Sequence, residues 1–486
     1  SKMTFHSCVS QYFRICGSGV AFERCEFINF RTPQGQDSSS SLIYVSNDQS
    51  CVPPSSGPEP RPPTKFVSCV FRDNDLGANS PLIWVKSGSL TIIQSLFESN
   101  RGQLLRLPSN ERDAELMIVR SEFVRNSEQL GGPIVELNSV ARMELHDTVW
   151  TNNTSILGAM SLIGGTRLLM SRCTFVNNHA TKGPAILTLT DRVGLPSEGT
   201  STVTISRCDF ANNSGFGCAG VLDLPLVRLR VQRSNFVANL LVADTTTTST
   251  TTAAAAAAVA AANCTDTRHA IVLASSDASL VGCLFDSNSV ASATANHSHV
   301  SAIVVATVLD ASAQFLAIKC RFTGNTVTAA RGAGAIAILR LDSIDSGIPT
   351  HDAVVISHSS FDAQHASFPL NGTSEPGEAF PGSRVLSGAI LLDQLNTNTN
   401  TNATATNSSS SSSASFSVHQ GHAGLAQASS IATGGSTTPW NALIDNCDFT
   451  RNTAELGGGG AICNRSPWTL IVNASLFMSN SAGNAG

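Results

Sequence analysis

Along most of this chain apolar and polar residues alternate one by one in runs of four to eight, and Gly, Asn, Ser or Pro cuts each run before a helical stripe can develop. The stretch TVTISRCDFANNSGFGCAGVLDL, residues 202–224, shows the whole pattern. An alternating pair, Val203 and Ile205, leads to Cys208 and Phe210, then to two asparagines, a run of small residues and an apolar strand around Val221. Period-two alternation over such lengths predicts short β-strands, and no segment sustains the 3.6-residue period of an amphipathic helix. Gly215, Gly217 and Gly220 spell G-x-G-x-x-G, but no strand-then-helix frame surrounds them and Pro225 follows, so they read as turn residues and not as a phosphate cradle.

The pattern recurs. Small-x-Phe-x-x-Asn returns as CVFRDN at Cys69, SLFESN at Ser95, SEFVRN at Ser121, CTFVNN at Cys173, SNFVAN at Ser234, CLFDSN at Cys283, CRFTGN at Cys320, CDFTRN at Cys447 and SLFMSN at Ser475. Looser copies start at Cys25, Thr148 and Ser359. The aromatic slot holds Phe27, Phe71, Phe97, Phe123, Trp150, Phe175, Phe210, Phe236, Phe285, Phe322, Phe361, Phe449 and Phe477, which takes twelve of the chain's 22 phenylalanines and rules out chance. The polar slot holds Asn74, Asn100, Asn126, Asn178, Asn213, Asn288, Asn325 and Asn452. An apolar pair such as Leu116 and Ile118 precedes each copy, and a Gly/Ala-rich turn with a short strand follows, as in GGPIVEL, KGPAILTL and GAGAIAIL.

Compact copies lie 25 to 27 residues apart between Phe71 and Phe175, a length that suits one coil of two or three short strands. Stacking such coils sets each slot over its counterpart at about 4.8 Å, Phe on Phe and Asn on Asn. The expected fold is all-β, a parallel β-helix forming one solenoid over residues 1–486. Asn at the strand end is expected to supply the left-handed corner and an amide ladder. Seven cysteines (Cys25, Cys69, Cys173, Cys208, Cys283, Cys320, Cys447) share the small slot with Ser and Thr, which reads as selection for size and as buried thiols. No C-x-x-C occurs, so zinc is not expected.

Low-complexity insertions are expected at about 46–64, 240–268, 365–384 and 393–441, after the Asn or after the Gly-Ala-Ile strand, leaving one face continuous. Charged residues make up 13% of the chain and the net charge is −5, which gives no nucleic-acid footprint. The longest apolar run is the alanine tract 253–262, well short of the roughly 20 residues of a spanning helix, so no membrane-spanning segment is expected. Both ends look cut, as if the chain were a fragment of a longer protein. Candidate N-glycosylation sequons begin at Asn152, Asn263, Asn296, Asn371, Asn402, Asn407 and Asn473, and also at Asn153, Asn212 and Asn464. With the Ser/Thr tracts they point to a secreted, cell-surface glycoprotein.

The pairing of F-x-x-N with G-G-A-I, as in CDFTRNTAELGGGGAICN at residues 447–464, resembles the repeat of chlamydial polymorphic outer membrane proteins, within the wider class of pectin-lyase-like right-handed β-helices. The resemblance implies a right-handed coil and a surface-exposed, adhesin-like role. No counterpart of that family's membrane barrel is present in this sequence.

Candidate chemistry is sparse. The outward residue just before the aromatic slot places no two acids on consecutive coils, and the outward residue just after it gives Asp286 and Asp362, separated by Thr323. His297 and His299, and His419 and His422, sit in insertions without a third ligand. The reading is a non-enzymatic structural or adhesin-like protein, without cofactor or metal. Its expected partners are other surface or matrix proteins, glycans, or its own copies in a filament. The alternative is a polysaccharide lyase or hydrolase, which needs acids, Arg or Lys and aromatic platforms converging in one cleft.

Overall fold

In a computed structural model of the chain the described residues are 3–6, 13–16, 19–31, 41–46, 62–77, 80–108, 114–129, 131–138, 140–164, 166–190, 201–216, 219–224, 227–242, 268–275, 277–291, 300–308, 314–328, 331–341, 354–367, 385–395, 441–455, 459–465 and 469–483. Among them every element is a strand, and the strands form four sheets of 14, 15, 13 and 9 members. Within each sheet a strand pairs in parallel with its counterparts on the neighbouring coils, and the fold is a right-handed parallel β-helix. A coil runs through a lead-in sheet (Leu116–Ile118 in Glu115–Val119), an aromatic sheet (Glu122–Val124), a short sheet, and a return sheet (Val135–Asn138). Among the described residues a typical coil has three strands, nine coils add one of two or three residues on the short sheet, and two carry a further strand, Arg331–Ala333 and Val385–Ser387, where the sequence suggested two or three in all.

The core is a set of vertical columns. Phe27 through Phe449 are fully buried, and successive Phe rings stack at 4.6–5.0 Å, for example Phe71 on Phe97 at 4.6 Å and Phe175 on Phe210 at 5.0 Å. Burying each ring contributes about 1.5–3 kcal/mol. Trp150 takes its place in the column, closer to Phe123 (3.9 Å) than to Phe175 (6.2 Å). Phe477 ends it, 4.8 Å above Phe449 and 46% exposed.

The asparagines form a second column inside the turn. Nδ2 of Asn100 donates to the Phe71 carbonyl one coil below (2.9 Å) and to Oδ1 of Asn126 one coil above (3.0 Å), while the Asn100 backbone N–H also donates to that Oδ1 (3.1 Å). Both amide protons and both carbonyl lone pairs are thus used, the full capacity of the side chain. The same bonds link Asn74, Asn100, Asn126, Asn153, Asn178, Asn213, Asn239, Asn288 and Asn325. Gln364 then takes one rung, and Asn452 and Asn480 resume.

These asparagines do not make the corner. The left-handed residue is the one before each Asn, such as Ser99, Arg125 or Asn212, and a second lies before each small slot, such as Arg120 or Arg207. From Arg24 to Ser479 twenty-four non-glycine residues, with Gly282 and Gly324, occupy these positions at φ between 44° and 63°. None is β-branched, as the Cβ clash in this region demands.

The small slot is also more than a size filter. Its hydroxyl or thiol donates to the carbonyl two residues earlier and accepts the backbone N–H of the slot one coil below, as in Ser95 Oγ to Ile93 O (3.0 Å) and Cys69 N–H to Ser95 Oγ (3.1 Å). Cys, Ser and Thr carry such a group one bond beyond Cβ, and Ala does not. The seven slot cysteines are buried and unpaired, and burial pushes Cys69 and Cys447 up to about 11. Glycine in the Gly-Ala-Ile strand answers a close backbone approach: a Cβ on Gly388 would stand 1.8 Å from the Gly460 carbonyl.

Several insertion limits shift. His365–Ser367 is a strand of the short sheet, so the third insertion starts later than 365, and Leu240–Val242 and Ile390–Leu395 likewise keep strand pairing inside expected insertions. Ser46, Thr64, Arg268 and Asn441 are strand residues at insertion margins. In each case the alternation of the repeat runs further than its low-complexity neighbour suggests.

Candidate functional site

The outer face of the return sheet carries the densest chemistry among the described residues. Its strands turn Ile43 and Val45, Ile83 and Val85, or Leu105 and Leu107 inward, and this fixes the residue between them outward. The register stacks those middle residues in one column: Arg14, Tyr44, Trp84, Arg106, Glu136, Ser161, Thr188 and Asp223.

The first five interlock. Arg14 lies over the Tyr44 ring (5.9 Å to the centroid), Tyr44 meets Trp84 edge to face (5.5 Å), and Arg106 lies over Trp84 (5.8 Å). Arg106 Nε is also 3.4 Å from Glu136 Oε2, which accepts from Gln103 Nε2 at 2.9 Å. Asn138 Nδ2 donates to the other Glu136 oxygen at 3.3 Å. Trp84 Nε1 has no acceptor among the described residues. Cation–π and edge-to-face contacts of this kind contribute about 0.5–1.5 kcal/mol each and hold the rings in fixed poses.

Hydrolysis by two carboxylates finds no pair on this column. Glu136 and Asp223 are three coils apart, about 14 Å, beyond the roughly 5–9.5 Å that retaining and inverting mechanisms use. Burial pushes Asp223 up to about 6. Four acids on the aromatic sheet are engaged elsewhere: Asp362 with Arg451 (2.6 Å), Asp286 with Ser287 Oγ (3.1 Å), Asp209 with Asn235 Nδ2 (2.7 Å), and Glu98 with Arg72 (2.7 Å) and Arg125. On the short sheet His179 Nδ1 and Ser214 Oγ are 2.6 Å apart, with no third group orienting the ring among the described residues. No group of three His, Cys, Asp or Glu side chains suited to a metal occurs among the described residues. His297, His299, His419 and His422 lie outside them.

The sequons separate by position. Asn152 and Asn212 are exposed left-handed corner residues. Asn153 is buried in the amide ladder and unavailable to a glycan in the folded chain. Asn473 is exposed, its amide donating to Asp445 at 2.8 Å. Asn263, Asn296, Asn371, Asn402 and Asn407 lie outside the described residues.

No protein-family model matches the chain, and no curated protein matches it. Among solved structures, tailspike protein 3 of bacteriophage CBA120 is similar at 11% identity and a TM-score of 0.31, over 82% of this chain. The chain spans 55% of the tailspike's length.

The column escaped the sequence reading for a physical reason. Ten residues separate Asn74 from Trp84 and Asn126 from Glu136, but only six separate Asn100 from Arg106. Variable corners scramble the spacing that register restores. The usable signal was the apolar-x-apolar frame itself in LIYVS, LIWVK, LLRLP and PIVEL.

Proposed function

We propose that this chain is a non-enzymatic, extracellular adhesin-like β-helix that binds glycans on the outer face of its return sheet. The observation that carries this is the Arg14–Tyr44–Trp84–Arg106–Glu136 column, a pre-set row of clamped rings, guanidinium groups and a carboxylate on the sheet that insertions border on both sides. The outward edges of the rings meet the apolar surface of a sugar, and Arg and Glu bond to its hydroxyls. Loops flanking a rigid sheet are where recognition concentrates. The likeness to polymorphic outer membrane repeats and the exposed sequons at Asn152, Asn212 and Asn473 support a surface location.

The test is a panel of neutral and acidic oligosaccharides against the purified chain. Trp84→Ala is expected to weaken the best binder at least tenfold without changing the β-sheet circular dichroism. Bond cleavage in any glycan, abolished by Glu136→Gln, would instead establish the lyase or hydrolase alternative.

A further inference from the structure

A second surface, on the lead-in sheet and its corner with the aromatic sheet, is strongly basic although the chain as a whole carries −5. Three consecutive coils, 167–172, 202–207 and 228–233, turn six arginines outward: Arg167, Arg172, Arg207, Arg228, Arg230 and Arg233. All six are exposed, and the other outward residues of those coils are Leu169, Ser171, Thr202, Thr204, Ser206 and Gln232, with no acid among them.

Two columns result. Along the corner, Arg172, Arg207 and Arg233 occupy the same left-handed slot on successive coils. On the flat, Arg167 and Arg228 bracket Thr202, and Arg230 sits beside Thr204. Arg172 is committed to Asp147 through two hydrogen bonds (2.6 and 2.8 Å), and its guanidinium holds that carboxyl below the ordinary range. The other five have no carboxylate partner among the described residues. Asp277, in register beside Arg228, makes no ion pair with it, and Asp209, two residues after Arg207, accepts from Asn235 instead. Past the cluster the corner slot is Gly282, and Arg233 Cγ lies 3.7 Å from where a Cβ there would stand. A side chain there would meet the Arg233 stem at ordinary contact distance, and Lys319 is the next cation in the column.

We infer that this surface binds an anionic polysaccharide, sulfated or carboxylated, laid along the helix axis. Unpaired guanidiniums are five-donor forks that match sulfate and carboxylate groups two bonds at a time. Their repeat along the corner, about 4.8 Å per coil, is close to the advance of a polysaccharide chain per sugar, so successive anionic groups meet successive arginines. Thr204 and Ser206 line the strip between the two arginine rows, and Thr202 stands within the flat one, with hydroxyls for the sugar. The surface is distinct from the Tyr44–Trp84 column, so the two bindings can fail separately.

The test uses the whole chain on immobilised heparin and on polygalacturonate, with salt elution. Retention at physiological salt is expected, with affinity falling steeply as salt rises. A variant combining Arg207→Ala, Arg228→Ala, Arg230→Ala and Arg233→Ala should lose at least tenfold in affinity with an unchanged melting temperature and unchanged binding at Trp84. The corresponding four-lysine variant should bind more weakly than the arginine protein at equal charge. Thr204→Glu, which places a carboxylate within the cluster, should weaken binding without removing any arginine. Unchanged elution of the four-alanine variant, an equal loss on removing Arg72 and Arg125 from the aromatic sheet, or equally tight binding of duplex DNA would overturn the assignment.

Discussion

The corners on either side of the aromatic sheet and the corners on either side of the return sheet are made by the same chain in the same coils, yet they tolerate opposite things. Around the aromatic sheet each coil turns in the same few residues, with a left-handed residue and then a buried polar side chain. Around the return sheet the connection between strands runs from two residues, between Leu224 and Val227, to forty-five, between Leu395 and Asn441. The difference lies in what passes vertically through the corner. Where Asn or Ser side chains bond to the coil above and the coil below, an added residue at a rung such as Asn213 would break five bonds in three coils. Where only strand ends meet, a longer loop costs little more than its closure entropy, which grows with the logarithm of length.

The sharpest way to break this contrast is in the aromatic column. Phe210→Asp places a charge between Phe175 and Phe236 and is expected to unfold the surrounding coils, whereas Asp209→Ala on the outer face should change stability by less than about 0.5 kcal/mol. Thermal denaturation of both variants decides it, and equal shifts would remove the distinction between the faces.

Next comes the polar column. Asn213→Ala strips partners from the Asn178 backbone N–H and side-chain amide and from the Phe175 carbonyl, all buried. A loss of about 2–5 kcal/mol is expected, against less than about 1 kcal/mol for Asn212→Ala at the exposed corner beside it. Chemical denaturation midpoints measure the pair.

The smallest effect is expected on the other side of the coil. Replacing 396–440 by a Gly-Ser linker long enough to join Leu395 to Asn441 should change stability by less than about 1 kcal/mol and leave the circular dichroism spectrum in place. A collapse of the spectrum would show that this corner also carries contacts between coils.

Much of the fold was legible because its causes are local and repeated. Phe every coil, a small residue two before it and Asn three after it fix the period, the inward face and the stacking in one reading. The left-handed residue was misplaced by one, since Asn is the residue most associated with that conformation and two adjacent asparagines, as at Asn212 and Asn213, conceal which of them turns. The small slot was read as size because Cys and Ser share a volume; the bond they share appears only when the coil below is in place. Asn153 shows the limit of motif reading, a glycosylation string whose asparagine is spent on the ladder. The Tyr44–Trp84 column left only its apolar-x-apolar frame as a signal and the arginine cluster left none, because both depend on which residues of different coils stand in register.

The amide ladder has one further consequence. Every rung hands upward the same donors and acceptors that it receives from below, so a coil's only requirement of its neighbour is that the neighbour be another coil. A duplicated or deleted turn creates no new kind of contact, and the length of such a protein can drift by whole turns under copying errors while each turn stays intact. From Asn74 to Asn325 each side chain also has the same sense, Oδ1 accepting from the earlier coil and one Nδ2 proton donated to the later. A turn set the other way up would place donor against donor, so the ladder accepts added turns in one sense only.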